Sequence, residues 1–160
     1  MRLPIAVLFV AAALAPAGCS GAGNAAVPAH CTAAVNDRLA GLIARAYDGP
    51  VDNVMVCGTT FASSRPLGSG PHGGHELVPL RVPLPGGVSA LVEVVTNDNL
   101  DGVVTAPRGA QVAAYGQYYL ATQGQRPFVA GIHETHCATH RGADNGWIVV
   151  NEIRFPSRGC

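Results

Sequence analysis

Beyond residue 47 the chain is broken at short intervals by turns rich in Gly and Pro: "DGP" (48–50), "ASSRPLGSGPHGG" (62–74), "PGG" (85–87) and "TQGQRP" (122–127). Gly gives up much backbone freedom when ordered and Pro lacks an amide hydrogen, so each cluster ends regular structure. The runs between them are short and rich in Val, Leu, Ile and Tyr, and they read as strands at 53–61, 75–84, 88–96, 110–121, 128–136 and 146–155. Pro79 and Pro83 cannot donate to a ladder, which predicts an edge or bulged strand at 75–84. Gly116 predicts a bulge or bend. Residues 97–109 read as a connector with one helical turn near Leu100–Val103, and 62–74 as a Gly-rich loop, with His72 within it and His75 at its end read as exposed polar residues.

One helix precedes the strands. In "CTAAVNDRLAGLIARAY" (31–47), Val35, Leu39, Leu42, Ile43 and Ala46 recur at helical spacing, and Thr32 is the candidate N-cap. A helix, three strands, a connector and further strands give a mainly β fold: a small OB-like β-barrel preceded by one N-terminal α-helix. The last strand is an addition to the barrel or its closure.

The N-terminus reads as an export signal. Arg2 is followed by "LPIAVLFVAAALA" (3–15), an apolar stretch too short to span a bilayer. "APA" (15–17) is a signal-peptidase site and would yield a freely secreted protein. "PAGC" (16–19) resembles a lipobox with Cys19 as the lipidated residue, although Pro16 stands where Leu is usual. Residues 1–18 are then the signal peptide, 19–30 a flexible tether of small residues, and 31–160 a single domain. Lipidation of Cys19 leaves Cys31, Cys57, Cys137 and Cys160, an even set suited to two disulfides in an oxidising compartment. Cys31–Cys57 with Cys137–Cys160 is the favoured pairing; each closes a loop worth about 3 kcal/mol. The rival role for Cys137 is as a metal ligand beside the histidines.

Composition removes several functions. The formal net charge is +0 and 12% of residues are charged, so no field draws a polyanion and no nucleic-acid partner is expected. All ten basic residues are Arg, which excludes a P-loop lysine, a Schiff base and a lysine general base.

The densest polar stretch is "GIHETHCATHRGADNGW" (131–147). His133, His136 and His140 are the metal candidates, with zinc the ion that three imidazoles suit. The segment follows a strand, however, where His133 and His136 point to opposite faces unless the strand's end reorients one. The zincin spacing H-E-x-x-H fails because Cys137 stands where the second His belongs. A second reading is acid–base catalysis by His133 or His136 with Glu134; no nucleophile motif accompanies it. A third is structural, with strand-end polar groups bonding the backbone of loop 137–146. Trp147 reads as core or pocket wall, and Tyr115 and Tyr119 as one face of their strand.

"YGQYY" (115–119), "GIHETH" (131–136) and "GWI" (146–148) resemble a bacterial family of small exported proteins, the domain of unknown function DUF3465. "GGHELVPLRV" (73–82) and "ALVEVVTNDNL" (90–100) look like two further strands of that family, so the resemblance spans about residues 53–150. It implies an OB-like barrel and an exported protein, and it carries no activity. His75, Asn97, His133, Thr135 and His136 match family positions and form the expected pocket. Glu134 departs from a family Trp, Thr96 from a His, and "CAT" (137–139) from a His-Asp-Pro-like run.

The expectation is therefore a cell-envelope lipoprotein or secreted protein acting as a small binding or interaction module, a binding role being favoured over an enzymatic one and no cofactor being called for beyond a candidate zinc. Its partners would be the membrane, through Cys19, and a small ligand or envelope protein. The alternative is a metal-dependent hydrolase using His75, His133 and His136.

Overall fold

The computed structural model describes residues 25–70, 73–121 and 127–160. The expected signal peptide (1–18), Cys19, His72 and most of the 122–127 turn lie outside the described residues.

Five strands close into a barrel: β1 (Val51–Thr60), β3 (Gly73–Pro83), β4 (Ser89–Asn97), β6 (Ala130–His133) and β5 (Gln111–Leu120), which returns to β1. Every pairing around it is antiparallel except β4 with β6. This is the OB-like arrangement, preceded by a helical segment. β2 (Arg65–Gly70) pairs with β3, and β7 (Trp147–Val150) and β8 (Ile153–Phe155) extend the sheet beyond β5.

The barrel interior takes alternate residues from each strand: Val54 and Val56, Val78, Leu80 and Val82, Val92 and Val94, Val112 and Ala114, Tyr118, Ala130 and Ile132. Helix α1 (Asp37–Ala44), entered through a 3-10 turn at Ala33–Asn36, adds Leu39 and Leu42 to this core. The Tyr118 hydroxyl donates to the Tyr47 carbonyl at 3.1 Å, tying the helix exit to the barrel. A second apolar cluster lies outside the barrel, where Cys57, Ala113, Tyr115, Trp147 and Val149 pack with Cys31, Val35 and Ala25. Trp147 Nε1 donates to the Ala25 carbonyl at 3.1 Å, so the described end of the expected tether lies against the barrel.

Several boundaries differ from the sequence reading. The 31–47 helix is shorter, and Thr32 makes no side-chain cap bond. Part of the 62–74 loop is strand β2, paired to β3 through a shifted register between Pro66 and Gly68. The turn expected near 100–103 falls a few residues earlier, over 97–101, where Leu100 and Asp101 donate backbone bonds to the Asn97 carbonyl. Gly116 is not bulged, since β1 and β5 pair in register from Val54↔Gly116 to Thr59↔Gln111, and the irregularity falls between Val51 and Val54. The 146–155 strand is a hairpin, because Asn151 (φ 43) and Glu152 (φ 76) both turn left-handed, as a two-residue type I′ connection requires.

The prolines of β3 sit where the ladder does not need them. β3 pairs with β2 up to Leu77 and with β1 from Leu80, so Pro79 occupies the gap between two partners on that side. Pro83 matters more. The β1–β3 register Thr59↔Arg81 would next place Cys57 opposite Pro83, which has no N–H to give. The buried amide of Asn36 fills the place. Its Nδ2 donates to the Cys57 and Pro83 carbonyls, both at 2.9 Å, and its Oδ1 accepts from Cys57 N–H at 2.8 Å. This explains why Asn36, at the N-cap position of α1, makes no capping bond. Gly58 completes the seam, since a Cβ there would meet the Arg81 carbonyl oxygen.

The two disulfides join Cys31 to Cys57 and Cys137 to Cys160, the pairing the spacing favours. Such bonds persist in an oxidising, extracytoplasmic compartment. Among the described residues no helix is long and apolar enough to cross a membrane.

Asn36→Ala strands one N–H and two carbonyls inside the protein, and should cost about 3–5 kcal/mol in urea denaturation. A loss below about 1 kcal/mol would show that the seam closes without it.

Candidate functional site

The outer edge of β5 serves two strands. Residues 117–120 pair with β6, and residues 112–115 pair with β7. The chain therefore has to leave the sheet after His133 and return at Trp147, crossing β5 at Gly116. Here Gly is needed for close approach: a Cβ on Gly116 would run into the His133 carbonyl oxygen, and one on Gly146 into the Glu134 carbonyl oxygen. At the exit Glu134 takes a left-handed conformation, φ 54, rare for a residue with a side chain.

That turn changes where the histidines point. Strand alternation would place His133 and His136 on opposite faces, but β6 ends at His133 and the Glu134 turn brings both rings to one cavity. This cavity of about 140 Å³ is lined by His75 from β3, Val95 and Asn97 from β4, His133 from β6, and Glu134 and His136 from the exit. Four of the five expected pocket residues thus converge. The fifth, Thr135, is fully buried and structural: its hydroxyl donates to Asp101 Oδ1 at 3.0 Å, and Asp101 Oδ2 accepts from Asn97 N–H at 2.7 Å. Asp101 thereby ties the exit to the end of β4. Burial raises its carboxyl above the usual range, opposed by the bonds from Asn97 and Thr135.

His133 is oriented from behind. Asp52 Oδ1 accepts from Gln117 Nε2 at 2.6 Å, which fixes the amide so that Gln117 Oε1 faces His133 Nε2 at 2.9 Å. The ring therefore carries its proton on Nε2, and the Nδ1 lone pair is left toward the cavity. Burial lowers the His133 pKa, partly countered by the Glu134 carboxylate, so the neutral ring is favoured. The Gln117 hydrogen bond, foremost, holds the Asp52 carboxyl below its usual value. Glu134 stands between two rings, with Oε1 3.8 Å from His133 Nδ1 and Oε2 3.3 Å from His136 Nε2. His136 Nδ1 lies 2.9 Å from the Cys137 carbonyl and donates to it. The His75 ring has no hydrogen-bond partner among the described residues.

His140 belongs elsewhere. Its Nε2 pairs with Asp52 Oδ2 at 3.3 Å, on the far side of Gln117 from the cavity. The candidate set His133, His136 and His140 is therefore not one ligand cluster, and Cys137 is held in a disulfide. Among the described residues no three His, Cys, Asp or Glu side chains come close enough together to hold a metal ion. Trp147 is fully buried in the outer cluster, stacked with Tyr115 at 6.1 Å between ring centroids, and lines no part of the cavity. The Tyr115 hydroxyl, buried and bonded to Asp144, is pushed up to about 12.

Sequence reasoning missed Gln117, Asp52 and Asp101. Gln117 had a signal, being the polar residue between Tyr115 and Tyr119 on one strand face. Asp52 and Asp101 had none without the register.

No protein-family model matches this chain, nor does any curated protein or any solved structure.

A ring held neutral contributes stability above its unfolded pKa of about 6.5, and loses it as pH falls through the lower folded value. The melting temperature should therefore fall on acidification from neutral pH, and His133→Gln should flatten that fall. An unchanged slope in the variant would show that His133 is not the group responsible.

Proposed function

We propose that this chain is an exported binding module of the bacterial cell envelope, with the cavity at the end of β6 as its ligand site. The observation that carries the reading is convergence: His75, Asn97 and His133 from three strands, and His136 from the exit after β6, line one concavity on the barrel. His133 is pre-oriented by the Asp52–Gln117 relay. Preorganised polar groups around a small apolar floor, here Val95, suit recognition of a small polar ligand. At roughly 30 Å³ per water-sized group the cavity admits about four or five heavy atoms, a fragment or the end of a longer molecule.

In this reading the chain is a member of DUF3465, on the strength of the motif residues alone, and is held at the membrane by lipid on Cys19. Free secretion after residue 17 is the alternative. A metal-dependent hydrolase using His75, His133 and His136 is the second functional reading; all three line one cavity, but the rings would have to draw closer together than they stand to share an ion. Stoichiometric zinc in protein purified from its native compartment would support it.

A thermal-shift screen of small amines, carboxylates, amino acids and sugars tests the binding reading. A ligand at ten times its Kd adds about 1.4 kcal/mol, a rise of about 4–6 °C. The rise should vanish in the His75→Ala/His133→Ala variant. No rise with any class would reject the reading. Separately, Cys19→Ser should move the protein from the membrane to the soluble fraction, and an unchanged distribution would reject the anchor.

A further inference from the structure

We propose that the ligand group this cavity takes is a primary alkylammonium, held between Glu134 Oε1 and His133 Nδ1. The inference rests on the reading of the cavity as a binding site and adds the chemistry of its occupant.

The lining is rich in acceptors and poor in fixed positive charge. Among the described residues Glu134 is its one carboxylate, and no Arg lines it. Lys is absent from the whole chain. The His133 tautomer, set by Gln117, presents a lone pair rather than a proton to the cavity. Glu134 Oε1 stands 3.8 Å from that lone pair, too far for a bond between them but close enough for one nitrogen to lie about 2.8 Å from each and donate to both. His75, whose ring has no hydrogen-bond partner among the described residues, also lines the cavity and is available as a further acceptor. An ammonium brings three donors to this set and neutralises the Glu134 charge.

Anionic ligands fit poorly. A carboxylate would meet Glu134 at short range and find a lone pair where it needs a donor on His133. A quaternary ammonium carries the right charge and no N–H. The apolar part of the ligand is set by Val95, which offers methylene contact. The cavity volume of about 140 Å³ limits the buried part to a short alkyl chain. The ammonium end of an aminoalcohol, a diamine or a lysine side chain presents this same group.

The test is a titration of the histidine imidazole resonances by NMR at pH 7.5 with three probes: propylammonium, tetramethylammonium and acetate. Propylammonium should shift His75 and His133 along one saturable curve, while the other two probes leave both rings unmoved. Glu134→Gln should weaken propylammonium by about tenfold or more, the loss of one charge-assisted bond. The Gln117→Leu variant should weaken it too by releasing the His133 tautomer. Equal binding of tetramethylammonium, preference for acetate, or an unaffected Glu134→Gln variant would overturn the ammonium assignment while leaving the site in place. If propylammonium and every class in the wider screen leave the cavity histidines unmoved, the site reading falls with it.

Discussion

The barrel depends on how β1 meets β3. Only Thr59 and Thr60 pair directly across that seam, with Arg81 and Leu80, and the next position on β3 that would donate is Pro83. A sheet left open there would expose an unsatisfied stretch of β1 backbone beside the core, which is costly where water cannot reach. The Asn36 amide supplies an acceptor and a donor in the geometry of a peptide group, so it acts as one residue of ladder borrowed from the helix entry. The same Cys57 whose backbone it bonds is joined through its side chain to Cys31. Helix position, barrel closure and the outer apolar cluster thus meet at one residue of β1.

A second constraint follows from the length of β5. Ten residues long, it offers more edge than the four residues of β6 can cover, and β7 takes the remainder. Two short strands placed end to end along one edge must be joined by an excursion, and the cavity forms where that excursion begins. Gly116 and Gly146 are small for this reason: the backbone of 133–135 passes over both. The cavity is therefore a consequence of sheet geometry, with His133, Glu134 and His136 supplied to its lining at the point where the strand gives out.

Much of the fold was legible because local chemistry and tertiary demand agreed. The Val-rich strands, the helix face of Leu39 and Leu42, and the disulfide spacing all appear where the sequence places them. The failures occurred where a partner decided the outcome. β2 has the Gly, Ser and Pro of a loop and becomes a strand because β3 offers it an edge. Asn151 and Glu152 carry no Gly to announce a hairpin, yet both turn left-handed so that β8 can fold back on β7. For the site, residue types were legible and directions were not. Period-two alternation sent His133 and His136 apart, and a single positive φ at Glu134 reverses that conclusion. Thr135 looked like pocket and is a structural tie, because its partner Asp101 is remote in sequence.

The left-handed Glu134 costs of order 1–3 kcal/mol and persists only if its surroundings leave it no alternative. They leave little. Immediately after it Thr135 is buried and bonded to Asp101, and Gly146 N–H donates to the His136 carbonyl at 2.8 Å, closing the base of the excursion. Ala138 N–H donates to Asn145 Oδ1 at 2.9 Å across the same base, and the next staple is covalent, Cys137 to Cys160. The disulfide lies outside the barrel core, so its contribution falls on the loop rather than on the barrel's own closure. Strain at one residue, held by ties on its C-terminal side, keeps the Glu134 carboxylate between two imidazoles. A side chain fixed in this way would give up little conformational entropy if the cavity takes the small group proposed for it.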